Sequence, residues 1–131
     1  MPPKVLIVDD EPLMHMLYKG HIEKAGYQLL AASSAEEGLI IARTEQPAVV
    51  IMDVMLKGMT GLAALRELKG NDATKDIAVI VITAATSQQH HATRQESITS
   101  GAASFLTKPI SPAQLVSEIQ RLAPLPEAGS P

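Results

Sequence analysis

Four short runs that read as strands each break off at a polar signal. Residues 5–8 are followed by Asp9-Asp10, residues 49–52 by Asp53, residues 79–82 by Thr83, and residues 104–107 by Lys108. Val5-Leu6-Ile7-Val8 shows no polar alternation, which predicts a strand buried on both faces, as parallel strands are. Between the strands the pattern changes period. After Glu11-Pro12, Leu13, Met16, Leu17 and Ala25 form a rough helical stripe that stops at Gly26. Residues 28–32 read as a weaker second strand. Ser34 and Glu37 have capping-box spacing and open a helix running to about Glu45, which Pro47 breaks.

Asp53 ends the third strand and a loop over 54–60 follows. A helix then starts at Gly61 or Leu62 and ends at Gly70-Asn71-Asp72. Residues 77–82 are the longest β-branched run and predict the fourth strand. Thr86 or Ser87 caps a polar helix that ends at Gly101, and residues 103–107 form the fifth strand. Ser111-Pro112 opens a last helix through Leu115, Ile119 and Leu122. Five β-α repeats predict an α/β fold: a parallel sheet with helices on both faces, joined by right-handed crossovers. Sheets of this class bind ligands outside the carboxyl ends of their strands. All four polar signals belong to that edge.

Composition narrows the picture. At 131 residues the chain is one domain, large enough to bury roughly 68–70% of its unfolded surface without staples. Phe105, Tyr18 and Tyr27 are the only aromatics, so the core is aliphatic. A net charge of −3 offers no electrostatic footprint for nucleic acid. With no cysteines there is neither a disulfide framework nor a thiolate metal site. The apolar run after Pro2-Pro3-Lys4 is too short for a signal peptide or a membrane span, which makes the cytoplasm the expected location. The stretch 124–131 is rich in Pro, Ala and Gly and reads as a disordered tail or the start of a linker, after a domain at 1–123.

Each polar signal has an ordinary explanation when taken alone. Asp9 or Asp10 can cap the next helix, Asp53 can sit in a turn, Thr83 can cap a helix, and Lys108 can be a solvated cation. Their conjunction at one sheet edge argues otherwise. Three carboxylates within a few Å repel unless a cation neutralises them. Mg²⁺ takes oxygen ligands and is held by one or two carboxylates, whereas zinc would call for His or Cys. A carboxylate can also act as nucleophile toward a phosphoryl group. The cation, Lys108 and the Thr83 hydroxyl can then neutralise its equatorial oxygens. The residues thus supply the chemistry for an aspartyl phosphate on Asp53.

At this point the chain resembles a response-regulator receiver domain, the phosphoacceptor module of bacterial two-component signalling. The likeness runs from about Lys4 to Ala123. It is carried by Val5-Leu6-Ile7-Val8-Asp9-Asp10-Glu11-Pro12, by Ile51-Met52-Asp53-Val54-Met55-Leu56 with Gly58-Met59-Thr60-Gly61, by Val81-Ile82-Thr83-Ala84, and by Phe105-Leu106-Thr107-Lys108-Pro109. The resemblance implies a flavodoxin-like sheet with strand order 2-1-3-4-5. It also implies phosphorylation of Asp53 by a sensor histidine kinase or a histidine phosphotransfer protein. Mg²⁺ would be bound directly by Asp10 and Asp53, by Asp9 through a water, and by the Met55 backbone carbonyl. Thr83 and Lys108 would contact the phosphoryl group, and Phe105 would act as a rotamer switch that turns inward as Thr83 moves. The signal would leave through the face formed by the fourth helix, fifth strand and fifth helix, to a downstream protein or a fused output domain. That face also serves as a dimer contact in the family.

Some positions depart from the family pattern or stand apart from it. Lys57 replaces a frequent proline and adds a cation near the site. Met55 and Ala85 cannot hydrogen-bond a hydrolytic water through their side chains, which predicts no strong built-in aid to dephosphorylation. His90-His91 are adjacent on a polar helix and do not share a face, so a solvated partner-facing surface is the better reading. His15 and His21 in the first helix are expected to face solvent or a partner. A Mg²⁺-dependent aspartyl phosphatase or phosphotransferase would want a second acid two residues after the nucleophile, where Met55 stands. A phospho-independent pseudo-receiver would show a broken acidic pair or lack Asp53 or Lys108, and all are intact. No glycine-rich turn follows the first strand, as dinucleotide binding would require.

Overall fold

A computed structural model describes residues 2–56, 59–84 and 90–125. Five parallel strands form one sheet: β1 (Lys4–Val8), β2 (Gln28–Ala32), β3 (Val49–Asp53), β4 (Ala78–Ala84) and β5 (Ser104–Lys108). They alternate with α1 (Pro12–Lys24), α2 (Ala35–Glu45), α3 (Gly61–Lys69), α4 (His90–Thr99) and α5 (Pro112–Leu122). The strand order is β2-β1-β3-β4-β5, as the resemblance implied. The crossover direction reverses between β1 and β3, and in such sheets that is where a ligand crevice opens.

Side chains alternate across the sheet and build two cores. Val5, Ile7, Val49, Ile51, Ile80 and Ile82 point to one face, where Tyr18 and Ile22 of α1 and Leu115 and Ile119 of α5 cover them. Leu6, Val8, Val50, Met52, Val79 and Val81 fill the other, under Ala35 and Ala42 of α2 and Ala64, Leu65 and Leu68 of α3. Burying each branched side chain contributes roughly 1.5–3 kcal/mol. After Lys4 at the start of β1, the central strands carry no polar residue until their carboxyl ends, because both of their faces are dry.

The expected helix signals hold where they are described. Ser34 accepts from the Glu37 N–H at 3.1 Å, while the Glu37 carboxylate accepts from the Ser33 N–H at 2.7 Å. The capping box therefore reaches one residue further back than its usual form. Gly26 and Gly101 close α1 and α4 at φ 105° and 104°. The expected cap at Thr86 or Ser87 lies outside the described residues, as do Lys57, Ala85, the His90 and His91 side chains, and residues 126–131 of the tail.

The stripe read along α1 faces the wrong way. Leu13, Met16 and Leu17 are 75%, 73% and 51% exposed. The buried face is instead Tyr18 and Ile22, one turn apart, with Met14 packed beside them. Hydrophobicity alone misled here, because Tyr18 scores as amphipathic while three aliphatic residues lie on the outer face. His21 is exposed as expected, but His15 is only half exposed and its Nε2 is buried without a hydrogen-bond partner. Strand ends also differ from expectation. β4 starts at Ala78 and runs through Thr83 to Ala84, and β5 runs to Lys108. Asp53, Thr83 and Lys108 are thus terminal or near-terminal strand residues, held by the ladder itself.

Candidate functional site at the carboxyl edge of the sheet

The ladder registers put the site together. Asp53 pairs with Ile82 across β3 and β4, and Thr83 pairs with Thr107 across β4 and β5. Val8 pairs with Met52, so Asp9 leaves β1 level with Asp53. Because the strands are parallel, all their carboxyl ends share one edge, and their last side chains converge.

Lys108 is the hub. Its Nζ lies 2.8 Å from Asp53 Oδ2 and 3.6 Å from Asp9 Oδ2. Burial alone would lower its pKa. The hydrogen bond and charge of Asp53, followed by the charges of Asp9 and Glu11, outweigh that and raise it. The ammonium stays charged and cannot act as a proton source near neutrality. The other oxygen, Asp53 Oδ1, accepts from the Met55 N–H at 3.0 Å. Both oxygens of this buried carboxylate are therefore oriented, one by the backbone and one by a cation.

Asp9 is fully buried, with Oδ1 accepting from the Glu11 N–H at 2.9 Å. Its Oδ2 has no hydrogen-bond partner. Burial first, and then the charges of Asp53 and Glu11, push its pKa above the ordinary value of 3.8 against the pull of the Glu11 N–H and Lys108. A buried carboxylate oxygen without a hydrogen bond is costly unless a cation meets it, and here Lys108 does so only at 3.6 Å.

Asp9, Asp10 and Glu11 each offer a carboxylate oxygen, and these lie within 4.8 Å of one another. The donor set is all oxygen, and one of its atoms, Asp9 Oδ2, is buried without a hydrogen bond and meets only the Lys108 ammonium at 3.6 Å, so the residues fit a hard divalent cation such as Mg²⁺. Glu11 entered the sequence reading only as part of a motif. Its place beside the acidic pair was the available signal, though its exposure at the helix N-cap was not legible.

Thr83 is buried at 5% exposure on β4. Phe105 is half-buried and packs against the core that holds Val81, its partner across β4 and β5. The Met55 side chain is 74% exposed, so its tie to the site is the backbone. Gly61 opens α3, as its place in the sequence predicts, beside the loop that follows Asp53. Its N–H donates to the Val54 carbonyl at 3.1 Å.

Comparison with known proteins agrees with this geometry. The family model of the response regulator receiver domain matches residues 5–120. Protein PilH of Pseudomonas aeruginosa is 34% identical over 116 residues, which cover 88% of this chain and 93% of PilH. The phosphate regulon transcriptional regulatory protein PhoB of the same organism is 31% identical over 88% of this chain, but the match spans only 49% of PhoB. Among solved structures, the chemotaxis response regulator CheY4 of Vibrio cholerae superposes with a TM-score of 0.83 at 26% identity, covering 93% of this chain and 99% of that one. This chain belongs to the response regulator receiver domain family.

Proposed function

We propose that this chain is a phosphorylation-activated signalling switch that accepts a phosphoryl group on Asp53. The observation that carries the reading is the placement of Lys108 Nζ 2.8 Å from one oxygen of a buried, doubly oriented Asp53, with the Asp9–Asp10–Glu11 cluster beside it. In this reading the donor is a phosphohistidine on a sensor histidine kinase or a histidine phosphotransfer protein. The Asp53 carboxylate attacks phosphorus, a P–O bond forms, the P–N bond breaks with its electron pair going to the ring nitrogen, and the imidazole leaves neutral, keeping the proton already on its other nitrogen. Lys108 shifts its charge from the free carboxylate to a phosphoryl oxygen, and the Thr83 hydroxyl donates to another.

Bound Mg²⁺ supplies charge neutralisation for the transfer. Asp10 and Asp53 would hold it directly, Asp9 through a water, and Met55 through its carbonyl. The reaction is the switch's own phosphorylation and dephosphorylation, so the protein is a signalling module rather than a metabolic enzyme. Movement of Thr83 and rotation of Phe105 would then reshape the α4-β5-α5 face. That face would be read by a downstream protein or a fused output domain, or used for dimerisation. The receiver would occupy residues 1–123, with 124–131 a tail or linker, and would work in the cytoplasm without direct contact to nucleic acid or membrane. Among the described residues no helix is long and apolar enough to cross a membrane.

Intact-protein mass spectrometry after incubation with acetyl phosphate tests the reading. The expected result is a gain of one phosphoryl group that requires Mg²⁺ and disappears in Asp53→Ala. A folded protein that binds Mg²⁺ yet gains nothing would mark a module that keeps the pocket without using it.

A further inference from the structure

Tyr18 is one of two tyrosines in the chain, and its ring is buried at 2% exposure in the core between α1 and the sheet. An aliphatic residue would fill that space equally well and would need no partner. The hydroxyl does have one. It donates to the Ile110 carbonyl at 2.8 Å, a buried bond linking residues 92 apart in sequence. Burial pushes the phenol above its usual value of 10.0, so it remains a protonated donor throughout the neutral range.

Ile110 lies two residues beyond Lys108, in the turn between β5 and α5. That turn contains Pro109, which has no N–H to donate, so the backbone has one fewer means of holding itself there. Tyr18 also lies within electrostatic range of both Lys108 and Asp9. The residue therefore spans from α1, which follows the acidic pair, to the turn that follows the lysine.

We propose that Tyr18 is a positioning residue, its hydroxyl fixing the 109–111 turn so that the Lys108 ammonium is aimed at Asp53. The proposal names a determinant of the site that the proposed phosphoacceptor reading does not include, and for its effect on rate it rests on that reading. Misplacing a catalytic charge by about 1 Å can cost on the order of a hundredfold in rate, so a few tenths of an ångström matter.

Tyr27 supplies a matched control. Its hydroxyl donates to the Ala123 carbonyl at 2.7 Å, at the opposite end of α5 from Lys108. Tyr18→Phe and Tyr27→Phe each remove one tyrosine hydroxyl from one carbonyl at an end of the same helix.

The experiment compares wild type with both variants by two readouts. The first is the Lys108 side-chain NMR resonance, assigned by its loss in Lys108→Met, and it needs no phosphorylation. The second is the rate of Mg²⁺-dependent phosphorylation by acetyl phosphate at saturating Mg²⁺. Tyr18→Phe is expected to move the Lys108 resonance toward that of the exposed lysines and to slow phosphorylation about fivefold or more. Tyr27→Phe should leave the resonance and the rate as in wild type. A Lys108 resonance unmoved by Tyr18→Phe, or moved equally by Tyr27→Phe, overturns the proposal. If wild type itself takes up no phosphoryl group, the phosphoacceptor reading fails, and the resonance alone decides the role of Tyr18.

Discussion

Gly61 packs against Asp53 so closely that a Cβ at position 61 would stand 2.1 Å from the Asp53 carbonyl oxygen. No side chain can occupy that space without moving the backbone of Asp53. Gly61→Ala is therefore expected to lower stability by roughly 2 kcal/mol or more, the range of strain and overpacking effects. It should also displace Asp53 from Lys108. Urea unfolding measures the first effect, and the rate of phosphoryl uptake measures the second.

Asp9 predicts a pH dependence of definite sign. Its pKa in the folded protein is raised, mainly by burial and then by Asp53 and Glu11. The folded state thus binds the proton more tightly than the unfolded chain does. Asp9's contribution to stability is complete below the unfolded value near 3.8 and is lost as pH rises through the folded value. Metal-free Asp9→Asn should be more stable than wild type at pH 7, with a flatter stability profile above pH 4. Denaturant midpoints across that range, in the presence of a chelator, check this. A variant less stable than wild type at pH 7 would contradict it.

Mg²⁺ should raise the melting temperature of this protein, because the unfolded chain has no preformed carboxylate cluster. At a hundredfold excess over Kd the gain is about 2.7 kcal/mol. It should shrink strongly in Asp10→Asn, which removes one oxygen donor from the cluster. Calorimetric scans with MgCl₂ against NaCl at matched ionic strength separate specific binding from screening.

The inverted face of α1 is testable by truncation. Ile22→Ala removes a fully buried side chain and should cost about 2–5 kcal/mol. Leu17→Ala trims a side chain that is 51% exposed and should stay within about 0.5 kcal/mol. Equal effects at the two positions would mean that α1 packs as its aliphatic pattern suggests.

Much of this architecture could be read from the chain because parallel strands buried on both faces leave long apolar runs ending at polar residues. Val5-Leu6-Ile7-Val8 before Asp9, and Val49-Val50-Ile51-Met52 before Asp53, announce both the sheet and its functional edge. The orientation of α1 was less legible, since its core face is only Tyr18, Ile22 and Met14, while the stronger apolar signal points outward. Strand ends were misjudged by a residue or two because polar Thr83 and Lys108 still take part in the ladder. The bond from Tyr18 to Ile110 joins residues 92 apart, and no local pattern encodes it.

The most direct test of the central claim is chemical mapping of the modified residue. Protein incubated with acetyl phosphate and Mg²⁺ is reduced with borohydride, which converts an acyl phosphate to an alcohol, and its peptides are then sequenced by mass spectrometry. Homoserine is expected at position 53, with every other carboxylate left intact. Reduction at Asp9, Asp10 or Glu11, or phosphate that survives borohydride on a hydroxyl or imidazole side chain, would contradict it.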